Sequence, residues 1–369
     1  MKILFVNEYS SSRPVSGAEY STQALAEALK AEMFTPGWKK NQPGQALSPL
    51  WFNNPLFYKY SAWQIYRAVK WEKIDLIHVH GKYILPGAVI AGWLTGKPVV
   101  VTVRDFKFLC PLALCFTHQQ KRCRFNYFVS HEIPEYQSRY GGGNKLWLIL
   151  GKLWQYQLKW WLNRCAKVIC VSPQLATIYR DNGVKRVEVI YNLPPSAKGR
   201  SVFGRKKVIL SIGKLSFGKG TDTILAAAKL LPQYQFIFAG QLNPSLRPVF
   251  PKNCRYLGKI SHEAALKLYP KAGVFVINSR WPEPLSRAGL EALSFGLPIV
   301  ASNRGGNREL VANNGLLVDP ENPVQIAAAI RQVSRQASKL GSNSLKLLKT
   351  RFNREKIIKQ HEEIYRLVA

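Results

Sequence analysis

Residues 2–6 form a short apolar run that fits a buried strand, and a polar loop, 7–16, follows it. A helix is predicted over 17–30, where Ala24, Leu25, Ala28 and Leu29 recur at helical spacing. The stretch 34–51 is rich in Pro, Gly and Asn and reads as loop. No strand is therefore expected directly after the first helix, and the first domain is expected to be trimmed near 31–60. Strands at 73–80 and 97–103 flank an apolar segment, 84–94, that suits a crossover helix. Further strands at 168–171 and 187–191 continue the alternation. The segment 194–207 contains Pro and Gly, is basic, and reads as a linker. The second half restarts the rhythm, with strands at 208–212, 235–239, 274–278, 298–301 and 315–318. Helices are predicted at 222–230, 264–269 and 286–295, and two or three more close the chain. Such alternation implies parallel sheets covered on both faces. Two such blocks predict an α/β chain of two Rossmann-like, doubly wound domains facing across a cleft, with ligands at the carboxyl ends of the strands. The expected bounds are 1–193, the linker 194–207, 208–350 and a final helix within 351–369.

Composition adds bounds to that pattern. The chain has 369 residues, 47% hydrophobic and 20% charged, enough for two buried cores. No apolar run approaches the roughly 18–20 residues of a membrane span. The N-terminus turns polar too early for a secretory signal, so a cytoplasmic location is expected. The six cysteines, Cys110, Cys115, Cys123, Cys165, Cys170 and Cys254, are then expected to be reduced thiols. Three of them cluster around His118 without the spacing of a structural zinc site, and no metal is expected there. The net charge is +32: 25 Lys and Arg against 11 Asp and Glu to residue 192, then 28 against 10. Basic charge in both halves favours anionic partners. Without a zinc-finger or RNA-recognition signature, nucleic acid ranks behind a membrane surface or a phosphorylated substrate.

Three segments carry candidate chemistry. Glu283-Pro284-Leu285-Ser286-Arg287-Ala288-Gly289-Leu290-Glu291 follows an apolar strand and opens a helix. Its carboxylates suit the hydroxyls of a sugar and a ribose, and amides near Leu285 and Ser286 suit a diphosphate. The plainer reading is a solvated helix with acids near its N-terminus. Gly213-Lys214-Leu215-Ser216-Phe217-Gly218-Lys219-Gly220 follows a strand and offers close backbone approach with two cations. It nearly matches a P-loop, but Gly220 stands where the magnesium-binding hydroxyl belongs, which argues against nucleotide hydrolysis. A basic surface turn is its plainer reading. In the third segment, 303–309, Gly305 and Gly306 again permit close approach, and Glu309 reads as a helix start. No two of the five aspartates are spaced Asp-x-Asp.

Together these segments resemble glycosyltransferase family 4, the retaining enzymes of the two-Rossmann-domain GT-B class. Further likeness lies in Ser16-Gly17-Ala18-Glu19, in Ile77-His78-Val79-His80-Gly81, in the segment 101–111, in Val189-Ile190-Tyr191-Asn192 and in the closing helix, which in the family crosses back to the first domain. The resemblance implies that Lys214 and Lys219 contact the donor diphosphate. It also implies that Glu283 binds the donor sugar, that Pro284, Leu285 and Ser286 meet sugar and phosphate, and that Glu291 holds the ribose. Gly213 belongs to the same donor site. Glu283, Lys219 and Lys214 are the implied catalytic set, and Gly17, Arg104 and Asp105 the acceptor side. Arg104 stands where many relatives carry His; it cannot act as a base, and suits an acidic acceptor or a pair with Asp105.

The expected activity is retaining, metal-independent transfer of a hexosyl group from a UDP- or GDP-linked sugar to a glycan or lipid-linked acceptor, with no cofactor. Cell-envelope or exopolysaccharide synthesis is the expected setting. A sugar-nucleotide epimerase on the same fold, or a catalytically impaired nucleotide-sugar-binding protein, are the alternatives. Residues 145–167 mix Trp and Leu with Lys and Arg. They read equally as a helix on an anionic membrane surface and as an ordinary helix with a buried aromatic stripe.

Overall fold

Among the described residues, twelve strands form two six-stranded sheets, each parallel throughout. The computed structural model describes residues 1–8, 16–36, 55–112, 125–140, 144–195 and 207–369. Cys115, Cys123, His118 and most of the expected linker lie outside the described residues. The chain divides into two compact units. Unit 1 comprises Met1–Ile133, Gly143–Leu193 and Glu355–Ala369, and unit 2 comprises Pro134–Gly142 and Pro194–Arg354.

Unit 1 carries β1 (Ile3–Val6), β2 (Glu32–Phe34), β3 (Leu76–Val79), β4 (Val99–Val103), β5 (Lys167–Cys170) and β6 (Val187–Val189), in the order β2-β1-β3-β4-β5-β6. The central strands β1, β3 and β4 are buried along their whole length, which explains their largely apolar sequences, with His78 in β3 and Thr102 in β4 as the polar exceptions. Around them run α1 (Gly17–Leu29), α2 (Pro55–Trp71), α3 (Leu85–Thr95), α4 (Lys145–Leu162) and α5 (Pro173–Asp181). Ser16 caps α1: its hydroxyl accepts the Glu19 amide and donates to the Glu19 carboxylate, so each satisfies the other. The expected absence of a strand after α1 is corrected by β2, which pairs Leu4 with Glu32 and Val6 with Phe34. A three-residue, half-buried edge strand is too short to show a period of two. Helix α2 went unpredicted, although Phe57, Ser61, Ile65 and Val69 repeat at helical spacing and are all buried.

Unit 2 carries β7 (Val208–Ile212), β8 (Gln235–Ala239), β9 (Cys254–Tyr256), β10 (Val274–Ile277), β11 (Ile299–Ser302) and β12 (Gly315–Val318). Their order, β12-β11-β10-β7-β8-β9, reverses direction between β7 and β10. That is the crevice where a doubly wound sheet binds its ligand. The helices are α6 (Thr221–Lys229), α7 (Arg287–Ser294), α8 (Pro323–Arg335) and α9 (Ala337–Thr350). Phe236, Phe238, Val276, Ile326 and Ile330 lie in its core. The last helix, α10 (Arg354–Val368), sends Tyr365 into the core of unit 1 beside Phe5, Val100 and Ile169.

Three imidazoles are buried near that tyrosine. His78 bonds the Tyr365 hydroxyl through Nδ1 and the Thr102 hydroxyl through Nε2, each at 2.7 Å. The His361 ring is 6.2 Å from that of His78, and the His80 ring 4.1 Å. Burial holds all three neutral; it lowers His361 to about 4 and the other two well below the usual range, helped by mutual repulsion and by Arg104. The folded protein therefore resists protons that the unfolded chain accepts below about pH 6.5. The stabilisation is complete above that pH and declines as the pH falls, by on the order of 3 kcal/mol for His361 alone once its folded pKa is passed. Thermal melts between pH 6.5 and 5 should show a falling Tm, and H361Q should flatten that slope.

Candidate donor site at the sheet reversal

Two loops meet where the sheet of unit 2 reverses. The first leaves β7 and runs from Gly213 to Gly220; the second leaves β10 and runs from Asn278 to the Ser286 cap of α7. Gly220 has φ +62°, and a Cβ there would lie 2.2 Å from the Asn278 carbonyl oxygen, so the loops pack at a distance only glycine allows. Asn278 reaches across through Nδ2, to Thr223 Oγ1 at 2.7 Å and the Pro320 carbonyl at 3.1 Å.

The Lys219 ammonium forms an ion pair with Glu283 Oε2 and lies 4.9 Å from the centre of the Trp281 ring. The same oxygen accepts from Ser279 Oγ at 2.9 Å and from Trp281 Nε1 at 2.8 Å. Glu283 Oε1 has no partner among the described residues. Burial by itself would raise the Glu283 pKa, but the Lys219 charge and the three donors outweigh it and hold the carboxyl below its ordinary value. A charged carboxylate thus has one oxygen pinned and the other available as an acceptor. Its backbone is held as well: the Gly306 amide donates to the Glu283 carbonyl at 2.5 Å. A Cβ on Gly306 would lie 2.0 Å from the Pro284 carbonyl oxygen.

Arg280 was not singled out from sequence, and it ties this site together. Its guanidinium donates twice to Asp222, at 2.6 and 2.8 Å, and once to Glu321 at 2.8 Å. It also donates to the Phe217 carbonyl at 2.5 Å. One planar fork therefore fixes the first loop, the start of α6 and the turn before α8. The sequence signal was available only as a charge inside the polar run after β10, and such charges are more often solvated.

The other expected residues fall in different settings. Lys214 and Gly213 are exposed, and Lys214 has no hydrogen-bond or ion-pair partner among the described residues. Leu285 and Ser286 are buried, Pro284 half-buried, and Ser286 caps α7 by accepting the Gly289 amide. Glu291 is buried and already occupied: Oε1 accepts from His262 at 2.8 Å and Arg287 at 3.1 Å, and Oε2 from the Tyr269 hydroxyl at 2.8 Å. Three of its roughly four acceptor directions are filled. Glu309 lies inside the 3-10 turn Gly305–Leu310 and does not begin a helix.

In unit 1, Gly17 is the exposed first residue of α1. Arg104 follows β4 and donates to His80 Nδ1 at 2.8 Å and to Asn192 Oδ1 at 3.1 Å. Since His80 accepts at Nδ1, its proton is on Nε2, a buried atom without a hydrogen-bond partner. Asp105 accepts the Lys107 amide at 2.9 Å and pairs with the Lys107 ammonium at 3.3 Å. A small pocket lined by Thr102, Arg104, Asn192 and His361 lies beside them. His80 is therefore the ring that Arg104 presents, which motif spacing alone did not reveal.

Two doubly wound units with a built crevice at the second sheet's reversal define the GT-B class of glycosyltransferase folds. Known proteins agree. The family described as glycosyltransferase family 4 matches residues 15–193, and that described as glycosyl transferases group 1 matches 196–345. The chain belongs to this family of glycosyltransferases. It is 30% identical to spore coat protein SA of Bacillus subtilis over 183 residues, 43% of this chain and 48% of that protein. The chain spans about half the length of the curated relatives it matches. Sucrose-phosphate synthase of Thermosynechococcus elongatus shares the fold at a TM-score of 0.73 and 21% identity, over 100% of this chain and 99% of that one. Anabaena HepE, solved with UDP and glucose, aligns at a TM-score of 0.65 and 20% identity over 98% of each chain.

A lysine at position 280 offers one compact cation in place of the fork, and leaves Asp222, Glu321 or the Phe217 carbonyl unmatched. R280K should lower stability by about 1–3 kcal/mol in chemical unfolding. A loss within about 0.5 kcal/mol would remove Arg280 from this role.

Proposed function

We propose that this protein transfers a hexosyl group from a UDP- or GDP-linked sugar to a glycan or lipid-linked acceptor, with retention and without a metal. The observation that carries the reading is the half-satisfied Glu283 carboxylate beside Lys219 at the sheet reversal. The open oxygen is a fit for a sugar hydroxyl, which donates to a carboxylate. Lys219 and the unpaired Lys214 supply positive charge for the departing diphosphate. Glu291 has one acceptor direction left, which suits a ribose hydroxyl. HepE, a relative in fold, was solved with UDP and glucose, which supports this donor class.

In the proposed step the bond from the sugar's anomeric carbon to the diphosphate oxygen breaks. The acceptor hydroxyl forms its bond on the same face, and its proton passes to a phosphate oxygen of the leaving group. No protein nucleophile is needed. The chain has no Asp-x-Asp pair, so the counter-charge in this proposal comes from Lys214, Lys219 and backbone amides. Envelope or exopolysaccharide synthesis, at an anionic membrane surface, is the setting proposed. The alternative of an impaired binding protein rested on Arg104 and on a missing strand, and β2 removes the second support.

A panel of UDP- and GDP-sugars should raise the Tm for the true donor class, since a ligand that binds only the folded state stabilises it. Lys214 is exposed and has no partner among the described residues, so K214A should leave the unliganded Tm unchanged and weaken the donor roughly tenfold or more by titration calorimetry. Unchanged affinity would take Lys214 out of the site. Sugar transfer should survive an excess of chelator; activity lost to chelator and restored by magnesium would refute the metal-free step.

A further inference from the structure

Helix α4 is apolar on both sides. Toward the protein it presents Leu158, Trp161 and Leu162, together with Lys152, whose ammonium donates to the Leu109 carbonyl at 3.0 Å, and Gln155, which donates to the Lys107 carbonyl at 3.2 Å. Toward solvent it presents Leu146, Leu150, Leu153 and Trp160, each 41–61% exposed. These four positions advance by four, three and seven residues, so they form one stripe along the 18-residue helix. An ordinary surface helix turns its apolar residues inward and polar ones outward, so a second apolar stripe on the solvent side demands a cause.

The stripe continues sideways. Trp93 of α3 is 55% exposed, and its ring centre is 6.3 Å from that of Trp160. Helix α2, which packs on α3, adds Leu56, Tyr60 and Trp63 on its own exposed side. Cations stand against the outward rings: Arg164 on Trp160, Lys159 on Tyr156, and Arg67 on Trp63. The three helices together hold six Lys or Arg (Lys59, Arg67, Lys70, Lys145, Lys152 and Lys159) and no Asp or Glu.

We infer that this face of unit 1, with α4 lying in the interfacial plane, is a docking surface for an anionic lipid bilayer. A flat apolar stripe needs no complementary pockets in a fluid interface. A helix of this kind buries its apolar face about 5–10 Å into the headgroup boundary. Tryptophan favours that boundary because it is apolar with one donor. The acid-free, basic surround matches lipid phosphates and carries none of the repulsion an acid would bring. The inference deepens the membrane part of the preceding proposal and stands apart from the donor chemistry.

The test is flotation of the full chain with phosphatidylcholine vesicles, with and without phosphatidylglycerol, and with brominated acyl chains as quenchers of tryptophan fluorescence. The expected result is binding to the anionic vesicles, quenching by the bromines, and weaker binding as salt cuts the Debye length from about 30 Å to about 8 Å. The triple variant L150S/L153S/W160S should keep its Tm and lose vesicle binding at least about tenfold. V249S, which alters an exposed apolar residue of unit 2, should bind like the parent. Charge alone would float both variants equally and leave the bromines without effect, and that pattern overturns the inference. So does wild type that ignores anionic vesicles. A wild-type dimer converted to monomer by the triple variant, with no vesicle binding, would reassign the face to a second copy of this chain. The sugar-nucleotide panel on the same samples separates the two readings: vesicle binding without a donor shift refutes the donor site alone.

Discussion

The ion pair between Lys219 and Glu283 is the contact on which the candidate site depends. It joins the loop after β7 to the loop after β10, the two strands between which the sheet reverses. Desolvation of a half-buried carboxylate at that place pushes its pKa up. The ammonium, the Trp281 N–H and the Ser279 hydroxyl keep it charged by converging on one oxygen. That asymmetry is what gives the site chemical character. Had the donors been shared over both oxygens, the carboxylate would be a closed structural ion pair, as Glu291 nearly is with His262, Arg287 and Tyr269.

Closeness at that reversal is a backbone matter before it is a side-chain matter. Gly220 against Asn278, and Gly306 against Pro284, set distances that a Cβ would not permit. Arg280 then clamps the first loop from behind with charged hydrogen bonds to Asp222 and Glu321. The result is a rigid frame in which Lys219 and Glu283 are already oriented before any ligand arrives, which reduces the entropy cost of binding.

Unit 1 is organised differently. Its centre is a set of neutral imidazoles wedged between β1, β3, β4 and α10, with His78 held at both nitrogens by Tyr365 and Thr102. These rings make the unit's stability fall as the pH drops below about 6.5. Arg104 stands at their edge and fixes the tautomer of His80. On the outside of the same unit, α4 exposes the residues that a core would normally claim. Leu158, Trp161 and Leu162 anchor its inner face, where the Lys152 ammonium and the Gln155 amide donate to backbone carbonyls.

The parallel α/β architecture was legible in the sequence because buried strands read as predominantly apolar runs: Ile3–Val6, Val99–Val103 and Val274–Ile277 lie where those runs are. The positions of Lys219 and Glu283 after such strands were legible too, since glycines and charges interrupt the pattern there. Strand β2 was not, being three residues long and paired on one side only. Nor were Arg280, His80 and the division of labour between the two oxygens of Glu283. Residues 145–167 showed the limit most clearly: composition left a buried stripe and a lipid-facing stripe equally open. The sequence by itself determined most of the elements, though not β2 or α2, together with the two-block order and the loops that carry chemistry, because burial and backbone freedom leave local marks. Only the tertiary structure decided which face of α4 meets water and which groups complete the Glu283 site, because those depend on contacts between residues far apart in the chain: 64 positions for Lys219 and Glu283, and 96 for Tyr58 and Trp154.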